Sequence, residues 1–367
     1  MSDQASISSW RMPDAYKHSS TPAMSNSSGD SNLAWADVPF ALIQTPLTKL
    51  GGNVHHPAAH MANESAHLFN AMLRGLNAIY QQAPYVQTSA DVADFNFLVH
   101  SWAAWVIHHM DLRGSSLFPS LEAALLKPVP GYRHEQVLQQ QSTTDASAGA
   151  QLHLVSDLLH EHSAFVPCLH RVLELAEKAH LQPETYSSSE LVSLLVELGP
   201  HMQAHLARQV NEVFLETIRG FCGTPGSVSA HVTGERLMQC WQACDSQSSQ
   251  SMDRFVIPPM MVRCRDVTYE DAGHDWPGLP VPQVHAIADR LSRTHKGAWR
   301  FLPCDVWGRP VELCALVAAQ QQGLELDRHH HHHAAAAAAT LTAVDRKGKG
   351  KAPVIAVQEL VVVEEKA

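Results

Sequence analysis

Apolar residues recur at intervals of three and four along four stretches of this chain, the spacing of helices that bury one face. The first stretch runs from about Pro57 to Gln82, with Phe69, Met72, Leu73, Leu76 and Tyr80 on its stripe. The second lies within Phe95 to Pro119 and carries Leu98, Trp102, Trp105, Val106 and Leu112. It ends near Gly114 or continues irregularly to Pro119. The third spans about Gln151 to His180, with Val155, Leu158, Leu159, Phe165, Val166 and Leu169 in line. Pro167 inside that pattern predicts a kink, because a proline removes a backbone donor and crowds the preceding turn. The fourth opens on Ser187-Ser-Ser-Glu190, a capping box, and follows Leu191, Leu194, Leu195, Leu198, Met202 and Val213. Four amphipathic helices joined by modest connections predict an all-α fold, an up-down-up-down four-helix bundle.

Three of these stripes carry a histidine: His109 on the second, His162 on the third and His205 on the fourth. One imidazole on an apolar face is more often a core residue satisfied by a neighbouring backbone group. The same arrangement on three helices makes a constellation, since bundles build metal sites from side chains that project inward. His108 adjoins His109 and could complete such a site. His67 stands about 200° from the Phe69 stripe, beside Asn63, Asn70 and Arg74, where periodicity places a surface or edge residue, and it is the weakest of the candidate ligands. His153, Asp157, His160 and Glu161 fall mostly on other faces and read as solvated, and His201 sits at a stripe's edge.

Outside the helices the texture changes. Residues 1–52 are rich in Ser, Asn, Pro and Gly and are expected to be largely disordered, with Trp10, Trp35 and Phe40 as docking points. The histidine-bearing helices occupy 53–222, with a Gln/Ser/Thr/Ala-rich linker ahead of the third. Residues 223–328 carry Pro, Gly and Trp in short clusters, with short helices expected at about 234–245 and 282–295. Trp299, Phe301 and Trp307 are expected to anchor this extension on the helices. The segment 329–367 is low-complexity: five His, six Ala, a Lys/Gly run and an apolar-acidic end.

The formal charge of −10 argues against broad affinity for nucleic acid, which depends on Lys and Arg. No run approaches the ~20 apolar residues of a membrane span. The first ten residues lack the charged start and apolar core of a secretory leader. The seven cysteines show no paired zinc spacing, and their odd number suits a reducing compartment. The expectation is an intracellular, cytoplasmic protein whose protein partner the sequence does not name. No nucleophile constellation, phosphate-binding glycine loop or nucleotide fingerprint is present, so enzyme classes built on these have no support. Histidine is the unusual residue, with 15 of 25 between Asn53 and Cys222, and that concentration makes a metal ion the candidate partner.

Several separate stretches, in order, resemble hemerythrin-like (HHE cation-binding) proteins of the fungal type. They are Leu73-Arg-Gly-Leu-Asn-Ala-Ile-Tyr80 with Gln82-Ala-Pro84, His108-His109 ahead of Leu117-Phe-Pro119, Glu161-His162-Ser-Ala-Phe165, and His205-Leu-Ala207. Trp299-Arg-Phe and Pro303-Cys-Asp resemble the extension these proteins carry, so the likeness covers roughly residues 55–310. It implies a four-helix bundle around a non-haem di-iron centre held by histidines and carboxylates, with roles in oxygen binding, iron handling or redox sensing. This chain departs from that pattern at nearly every second ligand. Phe69 stands where the family has a histidine just before the matching Asn70. The His-x-x-x-Glu pair becomes His109 with Arg113, or Met110 with Gly114 in the other register. His-x-x-x-His becomes His162 with Val166, and the last carboxylate becomes Gln209, beside Arg208.

A full di-iron centre is therefore not expected, because carboxylates supply the charge and bridges that hold two hard irons together. A reduced mononuclear site would use His109, His162 and His205, completed by His108 or solvent, and would suit iron or zinc. A metal-free bundle would serve as an interaction scaffold with its histidines satisfied in the core. A metal-dependent oxidation or hydrolysis at the open position is a third reading.

Overall fold

The periodic stretches become helices, and capping side chains set where they begin. In this computed structural model, residues 35–51, 54–129, 154–222, 226–272 and 276–323 are described. The expectations for residues 1–34, for the Gln/Ser/Thr/Ala-rich linker and for the low-complexity end lie outside them. The chain divides into two compact units, Met1–Val317 and Ala318–Ala367. In the second, the described residues 318–323 are helical. The first takes in both the 53–222 segment and the extension to Val317. Among the described residues the fold is all-α, with one isolated Cys304–Pro310 bridge and no strand. No helix among them is long and apolar enough to cross a membrane.

A short helix α1, Pro46–Lys49, precedes α2, Pro57–Gln82. Helix α3, Ser89–Leu112, is capped by Thr88, whose hydroxyl accepts from Asp91 N. It does not stop at Gly114. The backbone passes through a π turn, Arg113–Leu117, into α4, Phe118–Leu126. Helix α5, Leu154–Leu181, runs as one element through Pro167. Helix α6, Ser188–Arg208, has the Ser187 cap that the sequence signals and continues as a π helix, Gln209–Ile218. Helix α3 packs on α5, α5 on α6, and the π continuation of α6 on α2. Gly75 lets α2 and α3 come close, since a Cβ there would lie 2.7 Å from the Trp102 ring. Trp102 Nε1 donates to Met72 O across that contact at 2.9 Å. Trp102, Phe69, Phe95, Phe118, Phe165 and Phe214 are wholly buried and form the centre of the core.

The extension forms α7, Val228–Ser251, longer than the sequence pattern suggests, then α8, Ile257–Val262, α9, Val281–Asp289, and α10, Lys296–Trp299. Helix α7 packs on α2 and α4, and α10 on α3. Trp299 and Phe301 are buried against Phe97 and Phe95. Trp307 is half-buried and meets His285 edge-on.

The segment 35–49, grouped by composition with a disordered N-terminus, instead lies along α2. Asn63, Asn70 and Asn77 recur at intervals of seven, which keeps them on one helix face with a drift of about 20° per step. Asn77 Oδ1 accepts from Phe40 N, and its Nδ2 donates to Ala36 O and Phe40 O. Asn70 accepts from Ile43 N and donates to Ile43 O, while Asn63 accepts from Leu47 N. Three asparagines thus hold three successive points of an antiparallel strap. Gly199 on α6 makes room for the Phe40 ring, which a Cβ would meet at 2.1 Å. Arg74 on the same face pairs with Asp37 at 2.9 Å and lies over the Trp35 and Tyr269 rings.

Candidate functional site

Each of the three stripe histidines comes from a different helix: His109 from the last turn of α3, His162 from α5 and His205 from the last turn of α6. The His162 and His205 rings lie 4.9 Å apart at 67°, and Phe165 closes on His205 at 5.2 Å. His109 meets Phe69 edge-on at 5.6 Å. The apolar ring of Phe69 thus closes one side of His109.

One turn beyond His109 stands a cation, Arg113, which is 3% exposed. Its Nη2 donates to Ser65 Oγ at 3.0 Å and its Nη1 to Gln209 Oε1 at 3.3 Å. Ser65 can accept because its own hydroxyl proton goes to Met61 O, one turn back. The guanidinium also lies over the rings of Phe69, Phe214 and Trp241 at 5.0–5.7 Å. Those faces supply partial negative charge. Among the described residues no carboxylate forms an ion pair with it. Burial lowers its pKa to about 10, so it remains charged at neutral pH.

From Arg113 a directional chain of hydrogen bonds crosses the core. Gln209 accepts from Arg113 and offers its Nε2 to His205 Nε2 at 2.5 Å. His205 Nδ1 meets Glu161 Oε2 at 2.6 Å, and the other oxygen of Glu161 pairs with Arg208. These partners assign the tautomer: Nδ1 carries the proton and donates to Glu161, and Nε2 accepts. Burial, His162 and Arg113 push the His205 pKa down to about 3, and Arg208 offsets the charge of Glu161 that would oppose this. Arg113 and Gln209 each open one of the two π segments. A π turn inserts a residue and re-aims the side chains around it, a deformation common at functional sites.

Two atoms are left over. His109 Nε2 and His162 Nε2 are shut off from solvent and have no hydrogen-bond partner. Burial first, then Arg113 and the neighbouring histidines, hold His109 well below its ordinary value. Burial lowers His162, partly opposed by Asp111. All three imidazoles are neutral at physiological pH.

The other two candidates lie elsewhere. His108 Nε2 meets Ser251 Oγ at 2.9 Å, toward α7 rather than the core. His67 is not the surface or edge residue that periodicity suggests. It is 5% exposed and its ring stacks on Trp276, because the extension covers this flank of α2. Among the described residues, no three or more His, Cys, Asp or Glu side chains come together as a metal-holding group. Sequence reasoning left out Glu161 as solvated and did not see Ser65. The adjacency of Glu161 to His162 in the motif was the only signal for the first, and a serine on an apolar stripe gave none for the second.

No family model matches the chain, and no solved structure matches it. The chain is similar to the dimeric xanthone biosynthesis cluster protein R11 of Cryptosporiopsis sp. (strain 8999), with 25% identity over 289 residues. The match covers 78% of this chain and 95% of that relative.

Proposed function

We propose that this chain is a hemerythrin-like, up-down-up-down four-helix bundle in which a fixed internal cation, Arg113, has replaced the metal, and that it works as a binding protein rather than a metal redox protein. The packing of α3 on α5, α5 on α6 and the continuation of α6 on α2 supports the bundle. The histidines at the ends of α3 and α6 support the resemblance. The observation that carries the metal-free reading is the buried guanidinium, which lies one turn from His109 and is bonded only to neutral oxygens. A divalent ion beside it would face like charge in a poorly screened interior. Two irons would need bridging carboxylates, and Glu161, the carboxylate hydrogen-bonded within the cluster, is committed to His205 and Arg208. The donor set does not fit a di-iron centre. In keeping with the relative's description, the binding role belongs to the biosynthesis of a secondary metabolite of xanthone type.

A mononuclear ion at His109, His162 and His205 is the competing reading. It is favoured by the two unpartnered Nε2 atoms and by Glu161 behind His205, the kind of carboxylate support that orients ligating histidines. A ligand that binds the folded state raises its unfolding temperature. Adding iron(II) or zinc to a full-length chain with the histidines at 329–333 replaced by alanine separates the two. The metal-free reading expects an unchanged unfolding midpoint. The competing reading expects a rise that His162→Ala abolishes.

A further inference from the structure

We propose that His109, His162 and Arg113 form a binding site for one small anion of the carboxylate class. The inference deepens the metal-free reading and rests on it. An unsatisfied buried polar atom costs about 1–3 kcal/mol, and native interiors rarely leave one without a partner. His109 Nε2 and His162 Nε2 are such atoms, on rings held in place by Phe69, Phe165 and His205. Each ring is neutral, and a neutral imidazole with its proton on Nε2 is a hydrogen-bond donor.

Charge then selects the ligand. Arg113 brings a full positive charge into this core, and its two hydrogen bonds go to the neutral oxygens of Ser65 and Gln209. A cation would add to that charge. A water molecule would satisfy the nitrogens and leave the charge to exposed Asp245, which offsets it without forming an ion pair. A carboxylate answers both, because its oxygens accept from the imidazoles while its charge offsets the guanidinium. The rings packed on these imidazoles, Phe69 on His109 and Phe165 on His162, favour a group of few atoms, such as formate, acetate or the carboxylate head of a larger acid. Gln209, fixed between Arg113 and His205, keeps His205 out of the contact by occupying its Nε2.

The test is NMR of the imidazole nitrogens in full-length chain labelled with ¹⁵N-histidine, carrying alanine at 329–333, titrated with sodium formate and sodium acetate at constant ionic strength. The expected result is a saturable shift of the His109 and His162 Nε2 signals, with exposed His201 unmoved. Arg113→Gln should abolish the shift. His162→Phe, which keeps a ring in the core, should weaken formate binding by about tenfold, the effect of one lost charge-assisted hydrogen bond. Absence of a saturable shift at both nitrogens overturns the proposal, and so does a shift that survives undiminished in Arg113→Gln. Metal content measured on the same sample tells the two failures apart. About one ion per chain defeats the metal-free reading and the anion site with it, whereas a metal-free chain that ignores formate defeats the anion site alone.

Discussion

Helix α2 has two buried polar environments, and they are built in opposite ways. On one side, Asn63, Asn70 and Asn77 bond the 36–47 strap, and the groups they hold are main-chain N–H and C=O groups of that strap. On the other, beyond Ser65 and Phe69, lie Arg113, a hydrogen-bonded relay to Glu161, and two imidazole nitrogens with no partner. The first region is polar because a chain segment must be held. The second is polar beyond what holding requires. Orphaned atoms occur on the strap side too, at Arg74 Nη2 and Gln81 Oε1, but those side chains already bond the strap through their other atoms. An orphaned atom points to a missing partner only where no such bond accounts for the side chain.

The sharpest way to break this comparison is to treat both regions alike. Asn77→Leu strands Phe40 N, Phe40 O and Ala36 O, and should cost about 3 kcal/mol in denaturant unfolding, with the strap becoming open to proteolysis. Arg113→Met should change stability by no more than about 1 kcal/mol, because removing a buried charge among aromatic rings offsets its lost bonds. Equal losses in the two variants would make Arg113 a structural pin like Asn77.

Acid provides an intermediate effect. His205 has a folded pKa of about 3, below its unfolded value near 6.5, so the unfolded chain binds the extra proton. Its stabilising contribution is complete above about pH 6.5 and is lost as pH falls toward 3. Glu64 acts in the opposite sense. Burial, with Asp245 nearby, raises it to about 7, so it weakens the fold increasingly as pH climbs from about 4.5 to 7. Over the shared range the two oppose each other, and the native chain should show a shallow pH dependence. Glu64→Gln should stabilise by about 1–2 kcal/mol near pH 8, the size expected after discounting for the partial exposure of Glu64. It should also reveal a steeper loss in acid, measured as unfolding midpoint against pH.

The last variant is read by metal binding rather than by stability. Arg113→Glu places a carboxylate one turn from His109, where it could share a metal with the imidazole. It should increase zinc uptake at least about tenfold over the native chain, a coupling of roughly 1.4 kcal/mol, read by equilibrium dialysis. No gain would mean that more than Arg113 separates this core from a metal site.

Periodicity was enough to find α2, α3, α5 and α6, the Ser187 cap and the inward place of His205, because each depends on spacing within one element. Where it failed, a second segment overrode it. The Asn63–Asn70–Asn77 face looks solvated until the strap covers it, and the flank bearing His67 until Trp276 stacks there. Glu161 looked exposed because its partner, His205, lies 44 positions away. The π turns at Arg113 and Gln209 were also hidden, since the expected helical spacing assumes a regular helix across them.

If Arg113 stands in for a metal, the purified chain should carry none. The full-length chain with alanine at 329–333, purified without an affinity tag and without chelator, would be assayed by elemental mass spectrometry. The account predicts iron and zinc well below one ion per folded chain, unchanged in His109→Ala and His162→Ala. One tightly held ion per chain, lost in both variants, would contradict it.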